Sequence, residues 1–330
     1  MPDSTDSAGA GAILRRVKNL PAVLYAVAAL VFFVILFSIL NPAFFSLFNF
    51  NIIGLAAMIL LTAGIGQCWT IVTGGIDLSV GGVISLTSVI FIQTVPRLGV
   101  WAYPLCLAIG AACGFINGNL LTRIKIPSFI ATLGTGGILV SFAYLISPVA
   151  TSAPFVPPSR FDPLDVVNGA WLFGIPNAFL IGGLFFAAFL TIQYFTVTGR
   201  NIFYVGSNVR MSWLSGVNIV RTKNMAFMFS GIGAATAGLI LASRQFSGYP
   251  TIGATYILSS IATVVLGGSA MTGGAGGVVN TLVGALLMGV LQNGMTVVGV
   301  DVYLQQSLLG ALIIVCVWIS FDRSKVEIVK

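Results

Sequence analysis

Asp77 is the only acidic side chain between Asp6 and Asp162, and it stands in the segment TGGIDLSVGG at 73–82. That segment separates two long apolar runs in a chain that is 57% hydrophobic and 7% charged. A carboxylate at membrane depth costs roughly 2.5–3.5 kcal/mol or more, so it marks a structural need or a functional one. Two readings are open. In one, Asp77 follows Gly74 and Gly75 at the opening of a helix, where a carboxylate accepts backbone N–H groups and meets the positive end of the dipole. In the other, Asp77 or Ser79 lines a solute route or steadies its gate. The two are compatible if the helix opening borders a cavity. Gln67, Asn117, Thr132 and Asn293 are further polar side chains in apolar runs and join the candidate route.

Other chemistry is excluded by what the chain lacks. It contains no histidine, which removes the commonest general base and metal ligand. Its eight acidic residues give no carboxylate pair or relay within the apolar runs. No GxxxxGK[ST] segment is present to cradle nucleotide phosphates. No cofactor is therefore expected in this chain, and energy for active transport would enter from outside it. Cys68, Cys106, Cys113 and Cys316 lie in apolar runs without CxxC spacing and read as small core residues. The net charge of +7 is scattered through short loops, which does not suit nucleic-acid binding.

The elements that must carry these residues are membrane helices. Mean hydropathy is +1.04. Runs long enough to cross ~30 Å of hydrocarbon recur along the chain. They are continuously apolar rather than alternating, which predicts an all-α integral membrane protein rather than a barrel. The expected bundle has about ten transmembrane helices, at 21–40, 52–72, 78–95, 102–121, 127–147, 176–196, 224–243, 255–272, 278–298 and 303–320. Pro42, Pro96, Pro127 and Pro176 are expected at helix edges, and the prolines between 148 and 163 make 148–175 a loop. Residues 1–19 read as a disordered cytoplasmic terminus, 20–322 as one transmembrane domain and 323–330 as a cytoplasmic tail. The run from Leu20 to Leu40 is too long for a cleaved signal peptide and resembles a signal anchor.

Charge placement predicts the orientation. With the N-terminus inside, Arg15, Arg16, Lys18, Arg123, Lys125, Arg200, Arg210, Arg221, Lys223, Arg323, Lys325 and Lys330 fall on the cytoplasmic side. Only Arg97, Arg160 and Arg244 fall outside, so both termini are expected in the cytoplasm. Gly110, Gly114 and Gly118 have the four-residue spacing that lets helix backbones approach closely. Asn117 beside them either bonds across helices or faces solute. VTGGIDLSVGGV (72–83) echoes LGGSAMTGGAGGV (266–278), which suggests two related halves, although such likeness also arises by chance between Gly-rich apolar segments.

Residues 197–223 form the longest non-apolar cytoplasmic stretch between spans. Gly199, Gly206 and Gly216 bracket a short helix at about 207–215, with Trp213 and Leu214 as exposed apolar anchors. This suits docking to another protein. A basic helix lying on anionic lipid is the other reading.

Here the chain resembles the ribose-type family of ABC importer permeases, over about 20–322. The resemblance is carried by TGGIDLSVG (73–81), GFINGNLLTRIKIPSFIATLGT (114–135), TGRNIFYVGSN (198–208), LSGVNI (214–219), VVLGGSAMTGGAGG (264–277), GALLMGVLQNGM (284–295) and YLQQ (303–306). It implies an ABC ATPase subunit on the cytoplasmic side, where ATP would be hydrolysed. It also implies an extracytoplasmic solute-binding protein, a second permease copy or paralogue, and a bacterial inner-membrane location. The solute would be a monosaccharide, sugar acid or polyol.

The stretch at 197–223 would supply the ATPase-coupling residues Arg200, Asn208, Trp213, Leu214 and Gly216; of these Asn208, Leu214 and Gly216, together with Ser215, occupy positions that match the family. The family usually carries acidic and small residues just after Asn208, where this chain has Val209, Arg210, Met211, Ser212 and Trp213. Ile257, Ser259 and Ser260 stand where such permeases often carry acids, which suits an uncharged solute. An ion-coupled secondary transporter is the alternative, and an integral-membrane enzyme a third class for which no polar catalytic set is found.

Overall fold

The computed structural model describes residues 22–153, 162–172 and 174–320. The N-terminal basic cluster, Arg160 and the C-terminal tail lie outside the described residues. The chain folds as helices α1 (Ala22–Leu40), α2 (Leu47–Val72), α3 (Val80–Leu98), α4 (Ala102–Thr122) and α5 (Ser128–Ile146). There follow α6 (Asp165–Asn168), α7 (Asn177–Phe195), α8 (Val197–Ser207), α9 (Val209–Leu214) and α10 (Ile219–Gln245). The last are α11 (Tyr256–Leu266), α12 (Val278–Val297) and α13 (Val302–Ser320). The sheet is a two-residue ribbon, β1 (Thr151–Ser152) antiparallel to β2 (Ser247–Gly248).

Helix boundaries follow local chemistry. Ser46, Thr196, Asn208 and Asn218 each accept a backbone N–H from the first turn of the following helix, capping α2, α8, α9 and α10. α2 ends in a Schellman motif: Gly75 N–H donates to Thr70 C=O at 2.9 Å and Gly74 N–H to Ile71 C=O at 2.8 Å. Gly74 takes φ +78°, which a side chain would strain. Pro96 is not at the edge of its helix as expected. It sits in the last turn of α3, where the helix is already ending at Gly99.

α2 and α10 form the interior. Of their apolar stretches, 83% of α10 and 72% of α2 is buried within the protein, against 11% of α1. α10 packs against α2, α3 and α4, and its small residues allow all three contacts. A Cβ on Gly114 would stand 2.8 Å from the Met228 Cα, and one on Gly118 2.7 Å from the Asn224 Cα. The 110–114–118 spacing is thus a seam of backbone contact with α10.

The eighth expected span is corrected. Helix α11 has only 11 residues and stops at Leu266, so at 1.5 Å per residue it cannot cross the bilayer. By length and composition, seven stretches among the described residues can cross, with Val80–Thr122 forming one of them. The expected ten crossings are not established. The chain around α11 is irregular: turns over 249–255 precede it and a glycine-rich loop over 267–277 follows. The expected helix at 207–215 also differs: α8 and α9 meet at extended Asn208, which caps α9.

Two irregular segments penetrate the bundle. A Cβ on Gly82 would stand 2.6 Å from the carbonyl oxygen of Gly136, the ninth residue of nineteen-residue α5. α3 therefore begins level with the middle of α5, and 73–79 rises to it. On the other side, Gly253 N–H donates to Ser85 Oγ at 3.0 Å, and a Cβ on Gly81 would stand 2.8 Å from the Gly253 carbonyl oxygen. The segment 249–255 thus descends from β2 to the same level. Replacing Gly231, whose added Cβ would collide with the Gly110 carbonyl, by valine should destabilise the bundle by about 2 kcal/mol or more. Gly137→Ala, where no atom lies within 4 Å of the new methyl, should not. Unfolding midpoints in detergent compare the two.

Candidate functional site

Asp77 lies in the interior, 1% exposed, where 73–79 passes between α2, α4, α5 and α10. Its Oδ1 accepts from Ser79 N–H at 2.9 Å and from Ser79 Oγ at 2.6 Å, an Asx turn that leads into α3. Asn117 Nδ2 donates to the same Ser79 Oγ at 2.8 Å, and Thr135 Oγ1 donates to Asn117 Oδ1 at 2.7 Å. The backbone freed from helix is held by side chains. Ile76 N–H donates to Ser128 Oγ at 3.2 Å and Leu78 N–H to Thr132 Oγ1 at 2.9 Å. The Gln67 amide pairs with the main chain of Asp77, donating to its carbonyl at 3.0 Å and accepting its N–H at 3.2 Å.

Gln67, Asp77, Ser79, Asn117 and Thr132 therefore converge as expected, but on one another. Each is buried and holds the irregular segment in place. Gly75 is buried beside Ser128, and Gly74 is exposed at the end of α2. Asn293 does not join them; it lies on α12 with its Oδ1 buried and unpartnered. Thr135, Ser128 and Ser230 complete the node and were not among the expected residues. Ser230 of α10 stands beside the carboxylate. A lone hydroxyl in an apolar helix gives no sequence signal, because Ser and Thr usually bond back to their own helix. Among the described residues no three His, Cys, Asp or Glu come together to hold a metal ion.

The second cluster lies where α8 meets both glycine-rich segments. Gly274 N–H donates to Val72 C=O, the last residue of α2, at 2.9 Å. A Cβ on Gly206 would collide with the same carbonyl and stand 2.7 Å from Gly274 N. α8, the end of α2 and the 267–277 loop thus share a junction of bare backbone. Gln193, at the end of α7, reaches across it: its Oε1 accepts from Val278 N–H, the first residue of α12, at 2.8 Å. Beyond the junction, α9 projects. Trp213 is 67% and Leu214 62% exposed, and Arg200, Asn208 and Gly216 are also exposed.

Residues 48–317 match the family described as branched-chain amino acid transport system / permease component. The ribose import permease protein RbsC of Haemophilus influenzae is 35% identical over 295 residues, covering 88% of this chain and 90% of that protein. RbsC of Bacillus subtilis is 35% identical over 296 residues, with the same coverage. The autoinducer 2 import system permease protein LsrD of Photorhabdus laumondii is 32% identical over 303 residues, covering 89% of each chain. No solved structure matches the chain.

The Asx turn makes Asp77 an acceptor first. Asp77→Asn keeps that acceptor and should leave stability within about 1 kcal/mol of the parent. Asp77→Leu leaves Ser79 N–H and Ser79 Oγ–H without their acceptor and should cost about 1–3 kcal/mol. Thermal unfolding of the purified protein reads both.

Proposed function

We propose a function from one established fact: this chain belongs to the branched-chain amino acid transport system / permease component family. It is the membrane permease subunit of an ABC importer, and it carries a monosaccharide. The relatives named for ribose and autoinducer 2 import support this solute class. So does the uncharged 249–266 segment. The protein is a transport component of a bacterial inner membrane, seated among lipid.

The observation that carries the coupling is the exposed apolar tip of α9. Large apolar side chains on a six-residue helix outside the bundle are suited to a protein groove. We assign that groove to a separate ATPase subunit, which hydrolyses the ATP; this chain needs no cofactor of its own. Arg200, Asn208, Trp213, Leu214 and Gly216 form the docking surface, with Asn208 fixing the start of α9. An extracytoplasmic binding protein would deliver solute on the opposite face, and a second permease copy or a paralogue would complete the channel. Both termini lie in the cytoplasm on this reading, which the basic residues of the loops support.

Motion of α9 reaches the bundle through the junction of Gly206, Val72 and Gly274. Because these contacts are backbone on backbone, they are stiff, and a displacement of α8 moves the end of α2 and the 267–277 loop together. Gln193 ties the same motion to the start of α12. The segment with Gly74, Gly75, Asp77 and Ser79, braced by Gln67, Asn117 and Thr132, is then a hinge between α2 and α3. Asn293 sits on the helix that Gln193 caps.

The test is reconstitution with the ATPase and binding protein. Uptake of radiolabelled ribose or another monosaccharide should require ATP and all three components; uptake without ATP would sink the assignment. Trp213→Asp with Leu214→Asp should abolish co-purification of the ATPase. Gln193→Leu should leave the ATPase bound but lower sugar moved per ATP by about tenfold, equivalent to ~1.4 kcal/mol of lost coupling. Gln193→Glu, which keeps the acceptor at the start of α12, should restore it.

A further inference from the structure

Most hydroxyls at membrane depth in this protein bond back to their own helix; the exceptions include Ser230 and Ser243, which are buried without a partner. Thr62, Thr87, Thr94, Thr122, Thr236 and Thr263 each donate to a carbonyl four residues earlier in their own helices. Ser259 does the same, to Thr255 C=O at 2.8 Å. Thr251 and Thr255 are exposed, and their hydroxyls have no partner among the described residues. They stand in the segment that descends from β2 to the level of Gly81, Gly82 and Gly136, halfway along α5.

The segment is two-sided. Ile252 is 5% exposed and Gly253 is packed against α3. Thr251, Ala254, Thr255 and Leu258 are exposed, whereas Ile252 and Gly253 between them are not. Irregular backbone is not stable against lipid; at membrane depth it persists only where protein buries it or where it lines a water-filled cavity. The inner side is buried and the outer side is not. No charged side chain occurs anywhere from 249 to 266.

We propose that the Thr251–Thr255 face lines the solute route from the extracytoplasmic side to mid-membrane and contacts an uncharged, hydroxyl-rich solute through its two free hydroxyls. This rests on the permease reading and locates its solute contact away from the Asp77 node. Each threonine hydroxyl can both donate and accept, so a sugar hydroxyl replaces water there without leaving a group unpaired. Leu258, 62% exposed, continues the stripe toward the cytoplasm.

Thiol accessibility decides it. Thr251→Cys and Thr255→Cys are made with Cys68, Cys106, Cys113 and Cys316 replaced by alanine, and the full importer is reconstituted in vesicles. A charged, membrane-impermeant maleimide added from the extracytoplasmic side should modify both positions. Modification only by an uncharged, lipid-soluble maleimide overturns the proposal, since it places the face against lipid. If the cysteine-free background fails to assemble, Thr255→Ile in the parent chain serves, with ATPase retention as the assembly control. Its monosaccharide uptake should fall about tenfold or more, with Thr255→Ser near the parent rate; unchanged uptake by Thr255→Ile overturns the proposal. ATP-independent uptake by the parent complex would instead overturn the importer reading, whatever the labelling.

Discussion

Inside a bilayer, each backbone N–H and C=O that leaves a helix must be satisfied by the protein itself. This chain leaves helix twice at mid-membrane, and much of its architecture answers that demand. Over 73–79 the partners are side chains: Gln67 from α2, Ser128 and Thr132 from α5, and the Asp77 carboxylate over Ser79. Over 249–255 the partners are the segment's own tight turns and Ser85 of α3. The polar residues of the apolar runs are concentrated around these breaks because the breaks need them. The membrane-depth carboxylate belongs to that set. Its Oδ1 is hydrogen-bonded to Ser79 and holds a turn that no apolar residue could hold.

Glycine makes the breaks mechanically useful. Where Gly81, Gly82, Gly136 and Gly253 meet, backbone approaches backbone directly, with the Ile257 side chain also against Gly81. At Gly206, Val72 and Gly274 backbone likewise meets backbone directly. A bundle joined by interdigitating side chains can absorb small shifts through rotamer changes. One joined by bare backbone transmits them. The two glycine-rich segments that echo each other in sequence are brought to one side of α8, so a single short helix addresses both.

Much of the helical layout was legible. Apolar length and proline located the helices, because each of these acts through solvation or local backbone geometry. The run at 255–272 shows the limit. Its residues are as apolar as those of a full span, but hydropathy is blind to whether the backbone is helical, and the descent over 249–255 is fixed by contacts with α3. The node around Asp77 was half legible. Gln67, Asn117 and Thr132 stood out as polar residues in apolar runs, whereas Ser128, Thr135 and Ser230 looked like ordinary helix hydroxyls. The α8 junction was not legible, since nothing local says that Gly206 will meet Val72. The resemblance to sugar permeases named the function more sharply than the residues alone, and it could not place the solute contact.

The position of α10 bears on how the molecule is made. It is the most enclosed of the membrane-crossing helices, and its main neighbours, α2, α3 and α4, all precede it in the chain. When α10 leaves the ribosome, the walls of its socket are already in the bilayer. The helix can move from the translocation machinery directly into a protein-lined site, with little time spent against lipid. The later α11–α13 segment then completes the core, adding Ile261, Val264, Val278 and Met288 to the cluster around Trp69.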